Sequence, residues 1–233
     1  MWQTWEDLLF AHWPVSSASI RALIPDELEI DTFDGQAWIS IIPFLLSRVR
    51  IRCTPRIPLM NKFPEINVRT YVKAKGRSGI YFLSLDAANP LITAIAKQWY
   101  RLPYHPASMQ FERRGDTIDI RSRRWRSSPA AAQFSAAYRP DSAVFMAQPG
   151  TLEHWLTERY TLFCLCRRSK KVYAAYVYHE PWNLQKVFVT LRENTMTHGL
   201  FPLPEEPYLC LYSRGVQSIV WPIRNIEARG GPS

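Results

Sequence analysis

FPEINVRTYVKAKGRSGIYFLSLDAANPLITAIAKQWYRLPYHP, residues 63–106, begins with the alternation of a β-strand. Side chains of a strand point to opposite faces in turn, so Glu65, Asn67, Arg69 and Tyr71 share one face and Ile66, Val68, Thr70 and Val72 the other. A carboxyl, an amide, a guanidinium and a phenol in a row are either a solvated face or the lining of a polar pocket. The glycines of AKGRSG, residues 74–79, suit a hairpin that returns the chain into a second strand over residues 79–86. LITAIAKQWYRL then places Leu91, Ile95 and Trp99 on one helical stripe, and Pro103 ends that pattern.

Outward from this stretch the signals are mostly those of strands. Upstream, SSASIRALIP predicts a short helix capped by Ser16 or Ser17 and stopped by Pro25. Acidic turns follow around Asp31 and Asp34-Gly35, then a strand, and SRVRIRCTPRIP sets Arg48, Arg50 and Arg52 opposite Val49 and Ile51. Downstream, ERRGDTIDIRSRRW predicts a hairpin turning at Gly115-Asp116. GTLEHWLTERYTLF opens a helix at Thr151 that buries Leu152, Trp155 and Leu156. KKVYAAYVYHEPW, KVFVTLRENT and YLCLYSRGVQSIVWPI read as strands. With no internal repeat or composition break, residues 1–227 are expected to form one domain, and the Gly-rich residues 228–233 a disordered tail.

The 233 residues suffice for one well-buried domain, and 47 % apolar with 21 % charged is ordinary globular composition. Aromatic residues reach 13 %, with nine Trp, which suits wide β interiors and pockets for organic ligands. The net charge of +9 favours an anionic partner or serves solubility. Cys164-x-Cys166 lacks zinc-knuckle spacing, and the five histidines form no HxH or HExxH, so no metal is expected. The N-terminus lacks a basic export region, and ISIIPFLL, residues 39–46, is too short to span a bilayer. A cytoplasmic protein of bacterial type with reduced thiols and no membrane partner is expected. No GxSxG, P-loop or GxGxxG occurs.

The segments LLFAHWPV, IPDELEIDTFDGQAWISIIPF, FPEINVRTYV, GIYFLSLDA, YRLPYHPASM, PGTLEHWLTERY and HEPWNL resemble, in order and over nearly the whole chain, the uncharacterised bacterial YqjF-like family. That family, a domain of unknown function, is grouped with acetoacetate decarboxylase. The resemblance implies a mainly β (α+β) fold: a closed or cone-shaped antiparallel β barrel with a few peripheral helices. It places Glu65 where the decarboxylase has a pocket glutamate. It also places Tyr104 at the Schiff-base lysine and His105 at the neighbouring lysine. A phenol cannot form an imine, and imidazole cannot replace the amine as an electron sink. Lys73, on the face of Glu65 if that strand is regular, is the least unfavourable substitute amine.

The expected site is therefore a pocket with Glu65 and Tyr104 as acid–base groups and Asn67, Arg69, Tyr71, His12 and His105 as ligand contacts. Each has a plainer alternative. Glu65 and Arg69 could be exposed, Tyr71 could only pack, and Tyr104 could be a rim aromatic. His12 could be a buried histidine satisfied by a backbone carbonyl, and His105 an exposed loop residue. Glu158-Arg159-Tyr160 reads as a tether of its helix to the sheet. The expected function is a small-molecule binding protein or enzyme acting on a small organic acid or carbonyl compound, with no cofactor. The enzymatic form would be lyase-like or isomerase-like, without an imine. The alternative is a non-catalytic ligand sensor on the same fold. A nucleic-acid binder built on the Arg-rich pieces near Phe111 and Trp125 is disfavoured. The oligomeric state is left open, a homo-oligomer included.

Overall fold

Residues 1–50, 62–89, 93, 101–125, 131–166 and 171–226 are described by the computed structural model of the chain. The expected helix over residues 91–102 lies largely outside them, as do Arg52, Cys53 and the tail.

Local chemistry sets the connections. Ser16 caps α1 (Ser17–Arg21), its hydroxyl accepting from the Ser19 amide at 3.1 Å. Asp34 and Gly35, at φ 48° and 76°, form a tight turn closed by the exchanged backbone bonds of Phe33 and Gln36. Lys75 and Gly76, at φ 49° and 73°, turn β4 (Lys62–Ala74) into β5 (Arg77–Ala87). Left-handed residues at both central positions match the right-handed twist of the strands they join. The hairpin at Gly115 joins β6 (Tyr104–Arg114) to β7 (Thr117–Arg124). Thr151 caps α2 (Leu152–Thr157), which buries Leu156 fully and Leu152 and Trp155 in part.

The other strands are β1 (Trp2–Val15), β2 (Glu29–Ile30), β3 (Ala37–Arg50), β8 (Gln133–Pro140), β9 (Thr161–Cys166), β10 (Lys171–His179), β11 (Leu184–Asn194), β12 (Leu209–Val220) and β13 (Arg224–Asn225). All thirteen strands of the described residues belong to one sheet. Its pairings are antiparallel except β5–β6 and β5–β9, which are parallel. The β4–β5 and β10–β12 pairings close the sheet on itself twice. The larger ring runs β5-β6-β7-β8-β11-β12-β1-β3-β4. The smaller runs β5-β9-β10-β12-β1-β3-β4.

Over their central residues, the strands common to both rings have a hydrophobic cluster on each face. On β1, Leu9, Ala11 and Trp13 join one hydrophobic cluster, while Leu8 and Phe10 join the other. On β4, Ile66, Val68 and Val72 pack toward Ile118, Ile120 and Phe134, and Phe63 and Tyr71 pack with the second cluster. The polar face of β4 is thus turned into the protein: Glu65, Asn67, Arg69 and Tyr71 are all buried. Ile42 and Phe44 of β3 lie on the same side.

Candidate functional site

A cavity of about 800 Å³ lies inside the smaller ring, lined from all seven of its strands. Two irregularities shape its wall. Asp7, at φ 53°, stands where the β1–β3 register shifts, so Trp5 and Leu8 both face inward although they are three positions apart. On β5 the register against β4 slips between Val68 and Arg69, and Phe82 and Leu85 both reach the cavity. An extra residue in one strand reverses the facing parity beyond it, which is how a bulge re-aims side chains.

Glu65, Asn67 and Arg69 of β4 line this cavity, and Tyr104 at the start of β6 joins them. The Tyr104 hydroxyl donates to Glu65 Oε2 at 3.2 Å. Burial pushes the Glu65 carboxyl up to about 8; the Tyr104 hydrogen bond opposes the rise and the Asp86 carboxylate adds to it. At neutral pH Glu65 is therefore mainly a carboxylic acid, able to donate as well as accept. Asp86 is held by Arg124, whose Nη2 and Nε donate to its carboxylate at 2.6 and 3.0 Å. Arg69 donates from Nη2 to the Leu156 carbonyl at 3.2 Å, and its Nε has no hydrogen-bond partner. Asn67 Oδ1 is likewise buried without a donor.

Three other expected contacts stand apart from the lining. Tyr71 shares the face of Arg69, but its hydroxyl donates to the Leu156 carbonyl at 3.0 Å and lies 2.6 Å from Ser40 Oγ. His12 is fully buried one strand period beyond Phe10, and its Nδ1 lies 2.6 Å from the same Ser40 oxygen. The Tyr71 proton points at Leu156, so Ser40 donates to Tyr71 and His12 Nδ1–H donates to Ser40. A serine hydroxyl, not a backbone carbonyl, thus meets His12 Nδ1, while Nε2 is buried without a hydrogen-bond partner. Burial, helped by the Arg69 charge, keeps this imidazole well below its ordinary value and neutral. His105 follows Tyr104 on β6 and lies beside Asp86, whereas Tyr104 lies beside Leu85, so the strand period turns it away. These residues support the cavity from behind or lie outside it. Lys73 pairs with Asp31 at 2.8 Å and is absent from the lining, which contains no lysine among the described residues.

Arg159 and His179 also reach the cavity, although neither is among the expected ligand contacts. Arg159 Nη1 donates to Asp31 Oδ2 at 2.7 Å, and Glu158 accepts from the Trp182 amide at 3.0 Å. The tether expected there exists, and the cavity lies against it. His179 is packed by Trp5, Tyr160 and Trp182, its Nδ1 2.8 Å from the Glu180 carbonyl. Burial lowers its affinity for a proton, against the pull of that carbonyl. No local motif marks either residue, because ring closure brings them to β4. In the Arg-rich β6–β7 hairpin, Arg113 pairs with Asp7, Arg114 with Glu112, Arg121 with Asp119 and Arg124 with Asp86. Carboxylates already occupy much of the positive charge that a phosphate backbone would need. No helix among the described residues is long and apolar enough to cross a membrane.

Residues 2–217 match the model of the DUF2071 family, described as an uncharacterised conserved protein. The chain belongs to this family. It is 47 % identical over 226 residues to the uncharacterised protein YqjF of Bacillus subtilis (strain 168), covering 96 % of this chain and 91 % of that protein. Among solved structures it is similar to the enduracididine biosynthesis enzyme MppR complexed with pyruvate. That match has a TM-score of 0.65 and 12 % identity, covering 96 % of this chain and 89 % of the other. The acetoacetate decarboxylase of Legionella pneumophila matches with a TM-score of 0.61 and 11 % identity, covering 97 % and 87 % of the two chains. At such low identity the likeness is one of fold, and the fold is that of acetoacetate decarboxylase.

Proposed function

We propose that the cavity binds a small organic acid or carbonyl compound and that Glu65 is its proton-transfer group. The observation that carries this reading is the Glu65 carboxyl, whose proton affinity burial raises and which accepts from Tyr104 at 3.2 Å, in a cavity that Arg69 also lines. A neutral carboxylic acid can protonate a developing enolate, and its conjugate base can remove a proton next to a carbonyl. Tyr104 and Arg69 would hold negative charge that develops on the ligand oxygen. The related fold of MppR, solved with pyruvate, is consistent with a ligand of this class.

The amine route of acetoacetate decarboxylase is not part of the proposal. Tyr104 occupies the position that resembles its reactive lysine, and Lys73 is engaged by Asp31. A second reading, binding without turnover, is favoured by the mainly hydrocarbon wall, which offers few groups besides Glu65 and Tyr104 for proton transfer.

A thermal-shift panel of small acids, ketones and keto acids tests the binding, since a ligand of the native state raises the melting temperature. Deuterium exchange from solvent at the carbon beside the carbonyl then tests the chemistry. Exchange lost in Glu65→Gln and reduced in Tyr104→Phe, with binding kept, is the expected result. Binding without exchange selects the second reading. Borohydride trapping of a keto acid on a lysine contradicts the account of the chemistry.

A further inference from the structure

A pyruvate-sized acid would leave most of this cavity empty. Ligand cavities of about 300–1,000 Å³ enclose drug-sized molecules, and this one measures about 800 Å³. Part of its polar lining is grouped: Glu65, Asn67 and Arg69 follow one another on a single strand face, and Arg159 and His179 come from other elements. The walls are supplied by Trp5, Phe10, Phe44, Phe82, Leu162 and Trp182, all apolar. Trp5 and Trp182 stack with ring centroids 5.9 Å apart, and Phe10 meets Trp182 edge-on at 5.0 Å. Toward solvent the described lining is largely apolar, with Gln3 and with Met1, whose ammonium donates to the Val220 carbonyl at 2.8 Å. Trp2 and Trp221 are 46 % and 42 % exposed, and Pro222 and Ile223 follow them.

Arg69 is the second observation. Only 9 % of it is exposed, and no carboxylate among the described residues forms an ion pair with it. Its Nε is buried and unpartnered. A buried guanidinium is costly unless an anion meets it, and its planar fork suits a carboxylate. Arg159, the other lining arginine, already has Asp31.

We infer that the natural ligand is an amphipathic monocarboxylate whose head meets Arg69 and Asn67 and whose medium-chain acyl or aryl body lies along the aromatic wall toward Trp2 and Trp221. This inference rests on the reading of the cavity as an acid-binding site. It adds that hydrocarbon beyond the carboxylate supplies much of the affinity and selects the substrate.

Calorimetric titration of the full chain with acetate, butyrate, hexanoate and octanoate tests it, alongside pyruvate, acetoacetate, octanol and octylamine. Burying a methylene is worth about fourfold in affinity, so affinity should climb steadily from acetate to octanoate. Octanol and octylamine should bind at least about tenfold more weakly than octanoate, the scale of a lost charge-assisted hydrogen bond. Arg69→Met, which keeps the side-chain length, should erase the preference of octanoate over octanol. Trp221→Ala, at a partly exposed position, should weaken octanoate and leave acetate unchanged, and so serves if the arginine variant does not fold. Pyruvate or acetoacetate binding as tightly as octanoate overturns the inference while leaving a small-acid site standing. Octanol matching octanoate overturns the role of Arg69 as the anion contact. Failure of every acid to bind overturns the acid-site reading as well.

Discussion

Glu65 carries the proposed chemistry because its environment resists ionisation. Burial raises its carboxyl to about 8, and the Tyr104 bond only partly offsets this. A carboxyl with a higher proton affinity in the folded state contributes stability that is fully present below its unfolded value. That contribution is lost as pH rises through the folded value. From the ordinary carboxyl range up to about 8, stability should therefore fall by up to ~1.4 kcal/mol per pH unit from this group alone. Glu65→Gln keeps the shape and removes the titration. Urea unfolding at intervals between about pH 5 and about pH 9 should show a steeper decline for the wild type than for the variant. Parallel curves would mean that Glu65 ionises normally. The alternation of FPEINVRTYV was enough to group Glu65, Asn67 and Arg69 on one face. It was not enough to turn that face inward, since a strand lining a cavity and a strand facing water alternate alike.

The elements that hold this face are fixed by two kinds of contact. One is the ion pair between Arg124 of β7 and Asp86 of β5, both almost fully buried. Removing one partner strands the other charge, so Arg124→Met should cost ~3–5 kcal/mol in urea unfolding. A cost near zero would show that Asp86 accepts its proton without penalty. The other contact is the close approach of β5 and β9 at Gly79. A side-chain Cβ there would stand 2.5 Å from the Thr161 carbonyl oxygen and 2.7 Å from the Phe163 ring. Gly79→Ala must push these strands apart, and a loss of ~1–3 kcal/mol with weaker ligand binding is expected. Unchanged stability and binding would mean that the ring closes without this contact. The hairpins at Gly76 and Gly115 were legible because glycines mark tight turns. The strand QFSAAYRP was not, because its alanines and serine have little strand preference; pairing with β7 and β11 makes it a strand. The reversals of parity at Asp7 and on β5 also left no local pattern to read.

At the scale of the whole molecule, one sheet closed twice gives β1, β3 and β4 a core on each side. The larger ring is filled by side chains, and the smaller keeps a cavity of about 800 Å³. This arrangement explains why Arg159 and His179, far from β4 in sequence, meet its polar face, and why His105, next to Tyr104, does not. Glu65 and Tyr104, which the family resemblance puts in a pocket, line the cavity, and Lys73 is engaged by Asp31 instead. The proposed function requires Glu65 to be a neutral acid inside a ligand site. Carbon-13 labelling of the glutamate carboxyls, with Glu65→Gln to identify the signal, measures that state directly. A midpoint of about 8 that moves higher when a small carboxylate binds is expected, because ionised Glu65 repels the bound anion. A midpoint in the ordinary carboxyl range, indifferent to added acid, would contradict it.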